Sequence, residues 1–205
     1  MAQLKGDEFM ASANKKLKQS DGWICSAFGQ KQTVQDDAVD LYNKAAAQYK
    51  LSRMYQQAGD AYSKCAQILQ SDESTHLEAR IAWKDAAKCY QHVSRNQAII
   101  AYQNAIQLDV ESDRLREAAR LQQQIGDLLM ENKDADDIEY NEHDNQPINE
   151  AIGAYEKAVE YYEMEHDHAQ KNKVLLVIAQ IAGSQGNWRR AVDIFEQIGR
   201  EWSSH

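Results

Sequence analysis

The apolar positions of this chain recur with a helical period. An alanine, an aromatic residue four positions on and a small residue three further on appear as Ala38/Tyr42/Ala45, Ala58/Tyr62/Cys65, Ala79/Trp83/Ala86, Ala98/Tyr102/Ala105 and Ala151/Tyr155/Ala158, with a looser copy at Ala191/Phe195/Ile198. These offsets fall on one side of an α-helix. Small side chains there let helices approach, and the ring fills the groove between neighbours. The first four alanines step by about twenty residues. The next step lands on Ala118, in a segment that keeps the apolar face (Leu115, Ala118, Ala119, Ile125) without the ring. From there to Ala151 the chain carries about thirteen extra residues, and a further step reaches Lys171–Leu176, a helix without the motif. The stripe reads as core packing, not as a site.

One helix per ~20 residues is the mark of an α-solenoid. The pattern predicts an all-α fold, a right-handed α-α superhelix (a TPR-like solenoid) of about eight or nine antiparallel helices in one domain, 1–205. Its parts are a first helix over 1–20, an apolar loop over 21–31, helical repeats over 32–131, an acidic insertion over 132–146 and further repeats over 147–202. The 34-residue period and closing proline of regular tetratricopeptide repeats are absent.

Composition agrees with helix, since one proline and nine glycines punctuate 205 residues. No run of apolar residues is long enough to span a bilayer, and the N-terminus lacks a signal-peptide core. Cys25, Cys65 and Cys89 form no CxxC pair and read as free thiols in a reducing cytoplasm. The net charge of −9 argues against nucleic acid as a partner, while leaving room for a local basic face. The acidic insertion (Asp134, Asp136, Asp137, Glu139, Glu142, Asp144) lacks the glycine and closing glutamate of an EF-hand and reads as a solvated loop. The acidic and histidine residues of 163–168 point around a helix axis and cannot all meet one ion. No nucleophile elbow, phosphate loop or metalloprotease motif is present, so the expectation is no enzyme, no cofactor and no metal.

Residues 21–29 differ from the rest. Trp23, Ile24 and Phe28 lie between glycines, with Lys15, Lys16 and Lys18 upstream and Lys31 downstream. Aromatics with flanking lysines suit a membrane interface, where the rings sit among headgroups and the cations meet anionic lipid. The other reading has the same side chains fold back onto the first repeat as a hydrophobic staple. Partial insertion gives only weak binding, at roughly 1.5–3 kcal/mol per fully buried ring or isoleucine and about 1 kcal/mol per lysine.

At this point the text resembles the alpha-type soluble NSF attachment protein family. The resemblance is carried by GWICSAFGQ (22–30), AVDLYNKAAAQYKLSRMYQQAGDAYSKCAQIL (38–69), DAAKCYQ (85–91), QAIIAYQNAIQL (97–108), EAIGAYEKAVEYYEMEH (150–166) and RRAVDIFEQIGRE (189–201). It implies a cytoplasmic, peripheral-membrane adaptor without chemistry. Several copies wrap an assembled SNARE complex, the loop touches anionic membrane, and the far end recruits the NSF ATPase. The implied SNARE-facing cations are Arg53, Arg114, Arg120 and Lys173, with Arg116 adjacent. Each by itself reads as a solvated charge; only joint placement on one face gives them that role. The departures are Val177, where a second lysine is expected, and Gln91-His92 in place of a lysine pair. The family's acidic, leucine-bearing tail does not occur in these 205 residues, which implies weakened or lost stimulation of NSF. The rival reading is a TPR-type peptide-binding co-chaperone or scaffold.

Overall fold

The computed structural model describes residues 2–20, 31–131 and 146–203. Among these residues there are nine α-helices, one 3-10 turn and no strand: α1 (Ala2–Ser20), α2 (Lys31–Leu51), α3 (Tyr55–Leu69), the 3-10 turn (Glu73–Thr75), α4 (His76–Tyr90), α5 (Arg95–Glu111), α6 (Leu115–Met130), α7 (Gln146–Met164), α8 (His168–Ser184) and α9 (Trp188–Ser203). The all-α repeat read from the sequence is thereby present. The chain divides into two compact units, Met1–Leu108 and Asp109–His205. In the first, α1 packs on α2, α2 on α3 and α3 on α4; in the second, α6 packs on α7, α7 on α8 and α8 on α9.

The periodic alanines are the core. Ala38, Ala45, Ala58, Ala79, Ala86, Ala98, Ala105, Ala151 and Ala158 are fully buried, and Tyr42, Trp83, Tyr102 and Tyr155 are nearly so. The loose sixth copy behaves differently. Ala191 and Ile194 face α8, whereas Phe195 lies on the adjoining side of α9, half-exposed beside Trp188, Val192 and Trp202. On α9 the buried stripe runs through Ala191 and Ile194, and Phe195 lies one residue, about 100°, round the helix from Ile194.

A second device, not read from the sequence, fixes how three hairpins pair. On α1, α3 and α6 a Gly-Asp dipeptide faces a tyrosine of the following helix, or of α7 in the case of α6. A Cβ on Gly6 would lie 2.8 Å from the Tyr49 ring, one on Gly59 2.5 Å from Tyr90, and one on Gly126 2.6 Å from Tyr155. In each case the phenol donates to the neighbouring aspartate: Tyr49 to Asp7 at 2.7 Å, Tyr90 to Asp60 at 2.9 Å and Tyr155 to Asp127 at 2.7 Å. Seven residues earlier a second ring anchors the same pair of helices. Tyr42 donates to Asn14 (2.8 Å) and the Trp83 indole to Gln70 (3.0 Å), while in α7 the later Tyr162 donates to Gln123 (3.0 Å).

Four turns between helices close alike. The amides of Met54, Arg114, Asp167 and Asn187 donate to the carbonyls of Tyr49, Asp109, Tyr162 and Ala182 at 2.8–2.9 Å. The residue before each amide is left-handed: Arg53 (φ 56), Asp113 (54), His166 (54) and Gly186 (74). This is the Schellman helix end, which favours glycine, yet three of the four positions hold larger residues.

Gly59→Ala is expected to cost about 1–3 kcal/mol because the Tyr90 ring must move. Tyr90→Phe is expected to cost about 1–2 kcal/mol through the lost bond to a carboxylate. Both are measured by chemical denaturation. Burial first, then the aspartate partner, pushes Tyr49 and Tyr90 up to about 12 from the ordinary 10. The neutral phenol is the folded form, so stability is intact below pH 10 and falls as pH rises from 10 toward 12. Circular dichroism of Tyr49→Phe/Tyr90→Phe should show a shallower alkaline decline; an unchanged profile would remove the locks as its cause.

Candidate functional site

Four of the five cations singled out above belong to the second unit. Arg114 stands at the start of α6 with its Nε 3.7 Å from Oδ1 of the fully buried Asp109. Arg116, half-exposed on α6, reaches Asp167 at 3.3 Å. Asp167 is also the N-cap of α8, accepting from the Gln170 amide at 3.2 Å, so one carboxylate ties the α6 cation to the first turn of α8. Arg120, one turn beyond Arg116, pairs with Glu117 at 2.6 Å. Its charge also acts on the buried Tyr162 hydroxyl, where burial nevertheless prevails and raises the pKa. Lys173 projects from α8, exposed, into a groove of about 710 Å³ walled by Leu176, Ile198 and Trp202.

The structure therefore joins Arg116 and Arg120 on one exposed face of α6 and ties that face to the head of α8, the helix that carries Lys173. Arg53 belongs to the first unit, exposed in the left-handed turn between α2 and α3. Of the lysines beside the apolar loop, Lys15 and Lys18 are exposed on α1, whereas Lys16 is paired with Asp37 of α2. Trp23, Ile24 and Phe28 lie outside the described residues.

The positions that depart from the family pattern have internal partners. Gln91 donates to the Tyr102 hydroxyl at 3.1 Å, and His92 stacks on Tyr55 with ring centroids 4.1 Å apart. Val177 packs against the second unit's core. Cys65 and Cys89 are buried free thiols. Burial pushes Cys65 up to about 12 and raises Cys89, so both are held as thiols rather than nucleophilic thiolates.

Sequence reading missed Lys171. It passed for one more polar residue on a helix without the aromatic motif, yet it is 1% exposed. Its Nζ lies 2.9 Å from Glu163 of α7 and 2.8 Å from Glu201 of α9, so one ammonium joins three helices. Burial by itself would lower its pKa; hydrogen bonds to the two carboxylates outweigh that and hold it above the ordinary value. The Lys171 hydrogen bond in turn holds Glu201 below its ordinary 4.5. With its amide turned to suit, Asn172 extends the cluster, donating to Glu201 (3.2 Å) and accepting from the Trp202 indole (3.3 Å). The sequence signal for it is Glu163 eight residues before Lys171, on the facing end of the preceding helix. Among the described residues no group of three or more His, Cys, Asp or Glu is placed to hold a metal ion, and no helix is long and apolar enough to cross a membrane.

Residues 4–205 match the family described as soluble NSF attachment protein, SNAP. The chain belongs to that family. Relatives include an alpha-soluble NSF attachment protein of Vitis vinifera, 32% identical over 96% of this chain and 60% of the relative. A probable vesicular-fusion protein sec17 homolog of Schizosaccharomyces pombe is 30% identical over 95% of this chain and 62% of its own. The alpha-soluble NSF attachment protein of Homo sapiens is 27% identical over 93% and 60%. The chain thus spans about 60% of the length of these curated relatives. Among solved structures, the apo form of RapI aligns over 97% of this chain and 54% of its own at 13% identity with a TM-score of 0.53. BtubC from P. vanneervenii aligns over 97% and 91% at 12% identity with a TM-score of 0.50, and both likenesses concern the fold alone.

Lys171→Ala is expected to loosen α9 by about 1–3 kcal/mol, because it removes the charged hydrogen bonds to part-exposed carboxylates on two helices. Native-state hydrogen exchange should show α9 amides losing protection ahead of α6 and α7. Glu201's depressed pKa stabilises above pH 4.5 and that contribution fades as pH falls below it. The wild type should therefore show selective α9 exchange in acid, and Lys171→Ala should show it already at neutral pH.

Proposed function

We propose that this chain is a non-enzymatic adaptor of vesicle trafficking, cytoplasmic and peripheral to membranes, that grips an assembled SNARE complex and links it to the NSF ATPase. The single observation that carries the proposal is the family match over residues 4–205. The cation arrangement supports it physically. A carboxylate satisfies at most part of an arginine's five-donor fork, so Arg114, Arg116 and Arg120, each about half-exposed, keep donors for an incoming acidic surface. Lys173 has no ion pair among the described residues. A locally basic face on an acidic protein steers it toward an acidic helical bundle while the rest of its surface repels it, which favours one orientation of docking.

Arg53 adds a separate argument. A side chain at φ 56 is strained relative to glycine, so replacing it relieves the backbone while removing the guanidinium. In the proposed assembly the apolar loop at Trp23, Ile24 and Phe28 supplies a weak second contact with anionic lipid, together with Lys15, Lys18 and Lys16. Two weak contacts on one membrane reinforce each other through effective concentration. The NSF-stimulating part of the family lies in its tail, so these 205 residues by themselves are assigned binding without stimulation.

In a pull-down on assembled SNARE bundle, Arg116→Glu/Arg120→Glu/Lys173→Glu should weaken binding about tenfold or more, and wild-type binding should fall with salt. Arg53→Gly should weaken it with no loss of thermal stability. Wild type added to NSF and bundle should leave the basal ATPase rate unchanged. Binding insensitive to these reversals would discard the cationic face, and stimulated turnover would discard the division between binding and stimulation. Flotation with phosphatidylserine vesicles gives an independent check, in which Trp23→Ser/Phe28→Ser should reduce recovery several-fold; equal recovery would remove the loop from the membrane contact.

A further inference from the structure

In the first unit a groove of about 430 Å³ runs between α2 and α4 over α3. Its floor and sides are Val39 of α2, Tyr62, Cys65 and Leu69 of α3, and Ile81 and Ala82 of α4. Ile81 is 49% exposed and Leu77, one turn earlier on α4, 52% exposed, so water meets apolar surface there. Every charged side chain lining the groove is a carboxylate: Asp36 and Asp40 on the α2 wall, Glu78 and Asp85 on the α4 wall.

That uniformity does not follow from net charge, because residues 31–90 carry eight acidic and eight basic side chains. It follows from helical spacing. Asp36 and Asp40 bracket Val39 on one side of α2, and Glu78 and Asp85 bracket Ile81 and Ala82 on one side of α4. Asp36 accepts from Gln32 at 3.2 Å, and Lys88 approaches Asp85 at 3.4 Å with its side chain 61% exposed. Among the described residues neither Asp40 nor Glu78 has a cation within 4 Å. Two acidic ridges therefore flank an apolar floor, with carboxylates left to solvent on both sides.

The geometry points to a docking groove for a basic amphipathic peptide segment of a partner protein. One or two aliphatic side chains seat between Val39, Leu69 and Ile81, and lysines or arginines a turn to either side meet the two walls. Sign complementarity selects this occupant. Anionic lipid, nucleic acid and an acidic helical bundle are all repelled by four like charges, so the groove serves a partner different from the one assigned to the cations of the second unit. The space lies within the ~300–1,000 Å³ typical of ligand clefts.

The test is fluorescence anisotropy with a fluorescein-labelled fourteen-residue helical peptide carrying two leucines one turn apart, flanked by lysines and arginines. Saturable binding is expected at roughly micromolar to tens-of-micromolar affinity, weakening with salt. Asp40→Asn/Glu78→Gln should weaken it about tenfold, since both groups are exposed and their loss leaves the core intact. Ile81→Ser should act likewise, while Asp193→Asn/Glu196→Gln on α9 should leave binding unchanged, with circular dichroism confirming the fold of each. Absence of saturable wild-type binding overturns the proposal. So does equal binding of a peptide with serines for the leucines, or an equal effect of the α9 substitutions, since either marks general attraction to an acidic chain. Self-association in sedimentation that Ile81→Ser abolishes would give the groove to a second copy and likewise overturn it. No SNARE bundle, NSF or membrane enters the assay, so its result is independent of the function proposed above.

Discussion

A tyrosine lying on a bare glycine backbone, with its hydroxyl on the next aspartate, sets the geometry of this protein more than any other contact. At Gly6, Gly59 and Gly126 the ring occupies space that a Cβ would need, so the two helix axes come closer than any other residue would permit. The bond to Asp7, Asp60 or Asp127 then sets the register along the helices. A slip of one turn, ~5.4 Å, would leave a buried tyrosine and a carboxylate without each other. Dispersion alone supplies close packing but little register, since alanines look alike at every turn. Contact distance comes from the glycine and alignment comes from the polar pair.

Rigid pairing has consequences for the surfaces. With alanine and tyrosine filling the interior, charged residues are displaced onto the outer faces and into turns, where the helical period groups them. On α6 that grouping yields Arg116 and Arg120; on α2 and α4 it yields the carboxylate ridges of the acidic groove. The same chain thus presents surfaces of opposite sign, each built within one unit. Lys171 is one of the charged residues that went inward, with Asp109 and Arg80. Burying an ammonium is costly, and two carboxylates from different helices offset that cost only because α7, α8 and α9 all hold their positions. The cluster makes the seating of α9 a cooperative matter of three helices, with α9's outer side still exposing Trp188, Phe195 and Trp202.

Much of the fold was legible. Five copies of the Ala-x3-aromatic pattern marked residues that are nearly all buried, because a period of 3.6 puts an alanine, a ring four positions on and a small residue seven positions on along one side of a helix. Phe195 was misplaced because the sixth copy lacks the small residue at its third position, and a motif by itself does not say how far the buried stripe extends. The Gly-Asp dipeptides at 6–7, 59–60 and 126–127 stood in plain sight. Their meaning rests on tyrosines about thirty to forty residues away, a long-range pairing with no local signal. Exposure of the cations could be anticipated from residue type, but their partners could not, since Asp167 meets Arg116 only once α6 and the head of α8 are side by side.

By itself the sequence determined the all-α class, the helical repeat and its core, and membership in a family of soluble attachment proteins, because local periodicity and an ordered string of motifs suffice for those. Tertiary structure alone decided which tyrosine rests on which glycine, which lysine is buried, which arginines share carboxylates with a neighbouring helix, and that four acids line one groove. Each of these depends on side chains from separate helices meeting in space. Such meetings are governed by interaxial distance and register, which one-dimensional spacing does not contain.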